Sequence, residues 1–297
     1  MQDRKIWGAF TLLALIWGTS FFFIKIGLRT LQPMTLVAGR LTIGLAAVVV
    51  LLRWQKQSWP RGWEQWRHFL LLGALNTALP FVLFTWSESG PGGIDSSLAS
   101  IMNSMAPLFT ILLAGFVWRT EEVTGGKLMG LALGFGGVLV LFGRNLQGEF
   151  GDLSHLLAAM SAAVCYALAS IYAKQHLRGL HPISVAAAQI LVAATLVWAA
   201  ALSLEDLGQQ SLPWLTLGAL LWLGILGSAL AYTLYFYILA RWGATQTTLV
   251  TYVLPVVGVT AGLVILNEPF DWVLLGGGLL ILSGVWVVNW RPPRAAA

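Results

Sequence analysis

Apolar runs of about twenty residues recur along the chain near 6–26, 34–53, 69–87, 96–118, 127–143, 152–173, 183–203, 213–240, 244–266 and 271–290, with short polar breaks between them. A helix needs roughly 20 such residues to cross the hydrocarbon core of a bilayer. The pattern therefore predicts an all-α polytopic membrane protein of ten transmembrane helices, with little chain left over for a soluble domain. The first run is too long for a removable signal peptide and lacks a small-residue cleavage motif behind it, so it counts as the first helix.

The polar breaks repeat one another. Lys25-Ile-Gly-Leu28-Arg29-Thr-Leu31-Gln-Pro33 and Lys174-Gln-His-Leu177-Arg178-Gly-Leu180-His-Pro182 share K-x-x-L-R-x-L-x-P, 149 residues apart. Five runs lie in each half, 1–148 and 149–297. An odd number makes the halves cross the membrane in opposite directions, which is the inverted-repeat plan of transporters. The register holds further on. Arg40 aligns with Gln189, and Gly73-x-x-Asn76-Thr77 aligns with Gly224-x-x-Gly227-Ser228. Phe81 and Phe84 fall opposite Tyr232 and Tyr235, Pro107 opposite Pro255, Glu121 opposite Glu268, and Gly130 and Gly137 opposite Gly277 and Gly284.

Composition agrees with a bilayer: 58% of the 297 residues are hydrophobic and 10% are charged. The net charge of +5 does not point to nucleic acid, because the seventeen basic residues are scattered over the breaks. They sort by side instead. With the N-terminus inside, Arg4, Lys5, Arg53, Lys56, Arg61, Arg67 and most of the others fall inside, whereas Lys25, Arg29 and Arg144 fall outside. The positive-inside rule thus puts both termini in the cytoplasm. The single Cys165 allows no intramolecular disulfide, and His68, His155, His176 and His181 lack metal-binding spacing. Neither a cofactor nor a metal is expected.

These features resemble the EamA repeats of the drug/metabolite transporter superfamily. The likeness rests on Trp17-Gly18-Thr19 in the first helix, polar residues in the second helices (Arg40, Gln189), prolines in the fourth (Pro107, Pro255), and a glutamate followed by glycines entering the fifth. Among such proteins the aromatic-rich spans look like the amino acid exporters of the bacterial inner membrane, including the aromatic amino acid exporter. The resemblance implies ten helices in two inverted five-helix repeats. It also implies a small-molecule substrate, the bacterial inner membrane as location, and export by alternating access from a monomer or weak homodimer.

Lipid offers polar side chains no hydrogen-bond partner, so their placement on helix faces is informative. Ser100 and Asn103 share a face of the fourth span, Thr248, Thr251 and Tyr252 form the counterpart on the ninth, and Asn76 and Thr77 match Ser228 by repeat. Together they are expected to line a polar cavity, with interhelical hydrogen bonding as the competing role for the hydroxyls. Trp17, Phe81, Phe84, Trp86, Tyr166, Tyr232, Tyr235 and Tyr252 are candidates for an aromatic lining. Pro107 and Pro255 are candidate hinges. Arg40 either contacts a substrate carboxylate or anchors its helix by bonding carbonyls or snorkelling outward, and its replacement by Gln189 in the other half favours anchoring. Lys25 and Lys174 read first as helix-end anchors. Glu121, Glu122 and Glu268 read as solvated loop carboxylates. A drug or quaternary-cation exporter fits less well, because no carboxylate lies at depth. An intramembrane enzyme fits less well still, because no nucleophile has an acid–base partner within the spans.

Overall fold

The computed structural model describes residues 2–119, 123–145, 152–177, 180–242, 247 and 250–289. Within them the chain is helical without strands. The first half comprises α1 (Gln2–Gly27), α2 (Pro33–Trp54), α3 (Trp63–Ser87), α4 (Ser96–Val117) and α5 (Gly125–Asn145). The second comprises α6 (Leu153–His176), α7 (Pro182–Leu204), α8 (Trp214–Leu239, continuing to Trp242), α9 (Val250–Ile265) and α10 (Trp272–Asn289). Eight of these are long and apolar enough to span a bilayer, and α9 and α10 are shorter apolar helices. The expected start of the ninth span falls largely outside the described residues. The third helix begins at Trp63, earlier than its apolar run, because an amphipathic first turn and a half bearing Glu64, Arg67 and His68 precede the apolar part.

The shared motif has a local explanation. Pro33 and Pro182 each open a helix after an extended residue, Gln32 or His181, where proline's fixed φ suits the first helical position and its missing N–H costs nothing. Lys25 sits in the last turn of α1, where a cation complements the helix dipole.

Loop contacts sort the helix ends into two sets. The Asp152 N–H donates to the Gly92 carbonyl at 2.8 Å, and the Ser211 N–H donates to the Thr30 carbonyl at 3.4 Å. The breaks at 28–32, 88–95 and 205–213 and the start of α6 therefore gather at one end, called here the far end. The Ser184 hydroxyl donates to the Ser58 carbonyl at 2.8 Å, joining the 55–62 break and the start of α7 at the near end, where α1 begins. So α1 runs from near to far and α6 from far to near, which is the inversion expected from the repeat.

The two halves interleave. Close packing pairs α2 with α7, α4 with α9 and α5 with α10, and joins α1 to α8 and α9 as α6 joins α3 and α4. Exchanging the halves reproduces the same set of neighbours. Apolar burial gives little drive for association between helices in lipid, so packing depends on close backbone approach. The α5–α10 seam illustrates this: a Cβ on Gly284 would lie 2.5 Å from the Gly130 carbonyl oxygen, and one on Gly137 would lie 2.6 Å from that of Gly277. Large apolar side chains such as Val50, Leu139 and Leu202 remain exposed on the outer surface, as a lipid-facing protein requires.

Candidate functional site

A cavity enclosing about 1080 Å³, its open mouth included, lies between the halves. Six helices build most of its wall. α1 contributes Trp17, Ser20, Phe21 and Ile24. α2 gives Arg40, α3 gives Asn76, Phe81 and Phe84, and α4 gives Asn103, Ala106, Pro107 and Thr110. Tyr166 and Ser170 come from α6, and Tyr232 and Tyr235 from α8. Thr247 and α9 residues Val250, Thr251 and Leu254 complete the lining. Ser170, the exposed member of this set, marks the mouth near the ends of α4 and α6, with the Thr110 hydroxyl 3.4 Å from its own. The mouth is therefore at the near end.

Backbone irregularity positions several of these groups. Asn76 and Thr77 lie on a π-helical turn, Ala74–Ala78, just before Pro80. The repeat-related Gly227 and Ser228 lie on another, Trp222–Leu230. Such wide turns loosen the regular hydrogen-bond ladder and recur at functional sites. α4 is broken at Ser104–Met105, between Ser96–Asn103 and Ala106–Leu112. Pro107 lacks an N–H and its ring crowds the carbonyl four residues back, which belongs to Asn103. In α9 Pro255 sits inside an unbroken helix, and the residue four back is Thr251. Both proline-facing residues line the cavity.

A polar cluster borders the aromatic wall. The Tyr232 hydroxyl donates to the Asn76 carbonyl at 2.9 Å and lies 3.1 Å from the Thr77 hydroxyl. Gln189 donates to Thr77 at 2.8 Å and accepts from the Asn76 amide at 3.2 Å. Trp17 meets Tyr232 and Tyr235 at ring distances of 6.0 and 5.6 Å. Its indole N–H donates to the Gly227 carbonyl at 3.3 Å. Phe21 abuts Phe84 edge-on at 5.6 Å, and Phe84 stacks on Tyr166 at 6.2 Å.

The sequence-derived candidates divide accordingly. Trp17, Asn76, Phe84, Asn103, Tyr166, Tyr232, Tyr235 and Pro107 line the cavity. Thr77 stands behind the wall, bonded to Tyr232 and Gln189. Ser100 packs on Gly258 and Ser228 on Gly44, so close that a Cβ on either glycine would reach them within 3 Å. Their hydroxyls are satisfied by the Ser97 and Leu223 carbonyls. Tyr252 donates to the Val285 carbonyl of α10, and Pro255 is buried within α9. Thr248 lies outside the described residues, as do Glu121 and Glu122. Trp86 stacks on His155 at the surface.

Arg40 departs from the anchoring role that the sequence favoured. Its side chain is 3% exposed and lines the cavity rather than reaching the headgroups. Its guanidinium carbon lies 4.1 Å from the centre of the Phe81 ring. Glu268 departs too. It is no solvated loop carboxylate, because one oxygen accepts from the Ser96 N–H at 2.9 Å and hydroxyl at 2.7 Å, and the other accepts from the N–H and hydroxyl of Ser97. Glu205 does the same for α2, taking the Met34 N–H at 2.6 Å and the Thr35 N–H and hydroxyl at 2.7 Å each. Both carboxylates belong to the second half, and both seat on helix N-termini of the first, where the dipole favours anions.

Beyond Ile24 and Phe84 the cavity is sealed at the far end. The Lys25 ammonium donates to the Glu88 carbonyl at 3.0 Å. The Glu88 carboxyl is 2% exposed, and neither of its oxygens has a hydrogen-bond partner. Burial pushes its pKa well above the ordinary carboxylate value; Lys25 opposes this, and Glu268 and Asp95 add to it. Asp95 is raised as well, by burial and by Glu268.

The sequence pattern of the EamA-like transporter family matches residues 6–143 and 153–290. An uncharacterized transporter of Archaeoglobus fulgidus is 26% identical over 96% of this chain and 98% of its own. A probable amino-acid metabolite efflux pump of Salmonella typhimurium is 27% identical over 93% and 92%, and one of Escherichia coli is 24% identical over 94% of each. A solved crystal structure superposes with a TM-score of 0.69 at 20% identity, over 96% of both chains.

Proposed function

This chain belongs to the EamA-like transporter family, and from that premise we propose that it is a secondary transporter that exports amino acids, including aromatic and other neutral ones, from the cytoplasm by alternating access. The observation that carries the reading is a cavity walled by both repeats, open at the near end and sealed at the far end. The near end holds most of the basic residues and is the cytoplasmic one by the positive-inside rule. In a bacterium the membrane is the inner one. A rocking of the interleaved helices that opens the far end and closes the near one completes the cycle, with the break beside Pro107 and the proline site at Pro255 in the unbroken α9 as hinges.

The lining suits the cargo. Amide and hydroxyl groups from Asn76, Asn103 and Thr110 serve a polar head, and Trp17, Phe84, Tyr166 and Tyr235 serve an apolar or aromatic body. Relatives named as probable amino-acid metabolite efflux pumps point the same way. Aromatic rings also suit a drug or quaternary cation. That second reading is weaker, because among the described residues no carboxylate lines the cavity and a guanidinium does.

Counterflow of labelled amino acids in proteoliposomes, run beside a cationic dye, tests the proposal. Uptake against unlabelled amino acid is expected. Dye movement without amino acid exchange would replace this reading with the second. Asn103→Ala is expected to slow exchange about tenfold while leaving the protein monodisperse.

A further inference from the structure

The repeat relates two positions whose chemistry has diverged. On one side Gln189 of α7 faces Asn76 of α3, and the two amides bond to each other at 3.2 Å, with Thr77 completing the set. On the other side Arg40 of α2 replaces the glutamine, and Gly227 of α8 replaces the asparagine. Gly227 leaves room that any side chain would take: a Cβ there would lie 3.3 Å from Arg40 Nη2 and 3.3 Å from the Ser20 hydroxyl. The two amides are bonded to each other, whereas the guanidinium has no matching amide opposite it. Its Nε is buried without a hydrogen-bond partner, one face rests on the Phe81 ring, and among the described residues no carboxylate lines the cavity. A cation held so deep in a membrane protein is costly unless an anion or a set of acceptors meets it. Arginine keeps its charge there and offers a planar fork matched to a carboxylate.

We propose that Arg40 is the carboxylate anchor of the cavity, so that the protein recognises its cargo by a carboxylate rather than by an ammonium group. This rests on the transport reading above and adds the substrate class: small monocarboxylates with an apolar or aromatic body, amino acids among them. With no acidic side chain among the described lining residues, an ammonium group meets neutral acceptors there, such as the Asn103 amide. A 2-hydroxy acid therefore competes nearly as well as the amino acid of the same skeleton, and an amino acid amide does not.

The test is competition against exchange of labelled L-phenylalanine in proteoliposomes, using phenyllactate and L-phenylalaninamide. Phenyllactate is expected to compete within a few-fold of phenylalanine, and the amide about 10- to 100-fold less well, the range set by loss of a charge-assisted pair. Arg40→Gln should weaken phenylalanine and phenyllactate by a similar factor and leave the amide unchanged. Arg40→Lys, which keeps charge without the fork, should fall between and guards against a misfolded glutamine variant. An amide that competes as well as phenylalanine in the wild type overturns the assignment while leaving the transport reading intact. Absence of exchange for every amino acid overturns the transport reading instead. Thermal stabilisation in detergent then judges Arg40: phenyllactate should stabilise the wild type but not Arg40→Gln, and stabilisation by phenethylamine alone, or equally in both proteins, would refute the anchor.

Discussion

The two ends of the bundle are closed by different means. At the far end the second half reaches across with Glu205 and Glu268, each satisfying two backbone N–H groups and at least one hydroxyl at a helix N-terminus of the first half. Lys25 and the buried Glu88 lie beside them. At the near end the described ties are neutral, such as the Ser184 hydroxyl on the Ser58 carbonyl and the stacked pair Trp59–Trp66. Charge-assisted bonds are strong but reversible, because water can take over each partner when they part. An apolar seal of the same strength would have to expose oily surface to open. The far end is therefore a latch and the near end, in this conformation, a doorway.

Removing the larger latch should upset this contrast most. Glu268→Ala takes away the acceptor of four hydrogen bonds, about 3 kcal/mol or roughly a hundredfold in the ratio of far-closed to far-open protein. Ile24→Cys in a Cys165→Ala background reports it: an impermeant thiol reagent should label from the near side only, and from both sides once Glu268→Ala is added. Unchanged one-sided labelling would mean that the latch carries no closure energy.

Next in size is the response to pH. The Glu88 carboxyl in the closed end has a raised pKa, whereas in an opened, hydrated end it would titrate near the ordinary value of about 4.3. The closed end then binds the extra proton. Its advantage is full below the ordinary value and is lost as pH rises through the elevated one, by at most about tenfold per pH unit. Asp95 adds to the same trend, and Lys25 and Glu268 bias it in opposite senses. Far-side labelling of the Ile24→Cys reporter should accordingly increase with pH. Glu88→Gln, which cannot ionise, should flatten the curve; a curve of the same slope would assign the effect elsewhere.

The smallest effect is expected at the doorway. Ser184→Ala removes one neutral hydrogen bond, about 1 kcal/mol, and should lower the thermal midpoint slightly without any far-side labelling. A change in sidedness as large as that of Glu268→Ala would erase the distinction between the ends.

Much of this was legible in sequence, because a bilayer punishes any other arrangement: the ten apolar runs, the repeat and its inversion all follow from length, register and an odd count. The errors lie where a residue's role depends on its neighbour across the halves. Arg40 resembled an anchor because Gln189 answers it in the repeat, and nothing in α2 reveals that Gly227 faces it. Ser100 and Ser228 occupied the right depth, but glycines opposite draw them into helix contacts. Glu268 sits in a polar break like any solvated carboxylate, and only the fold brings the start of α4 to it. The π-turns around Asn76 and Gly227 leave no mark in the hydrophobic pattern. Pro80 follows one of them but does not signal it.

The Arg40–Gly227 and Gln189–Asn76 pairs have one more consequence. A chamber with true twofold symmetry would treat the two ends of a guest as interchangeable and hold it either way round with equal ease. With a cation on one side of the axis and a bonded amide pair on the other, the chamber acquires a head and a tail. Any cargo that pairs with the cation is then held in a single orientation and meets each doorway with the same end leading on every turnover.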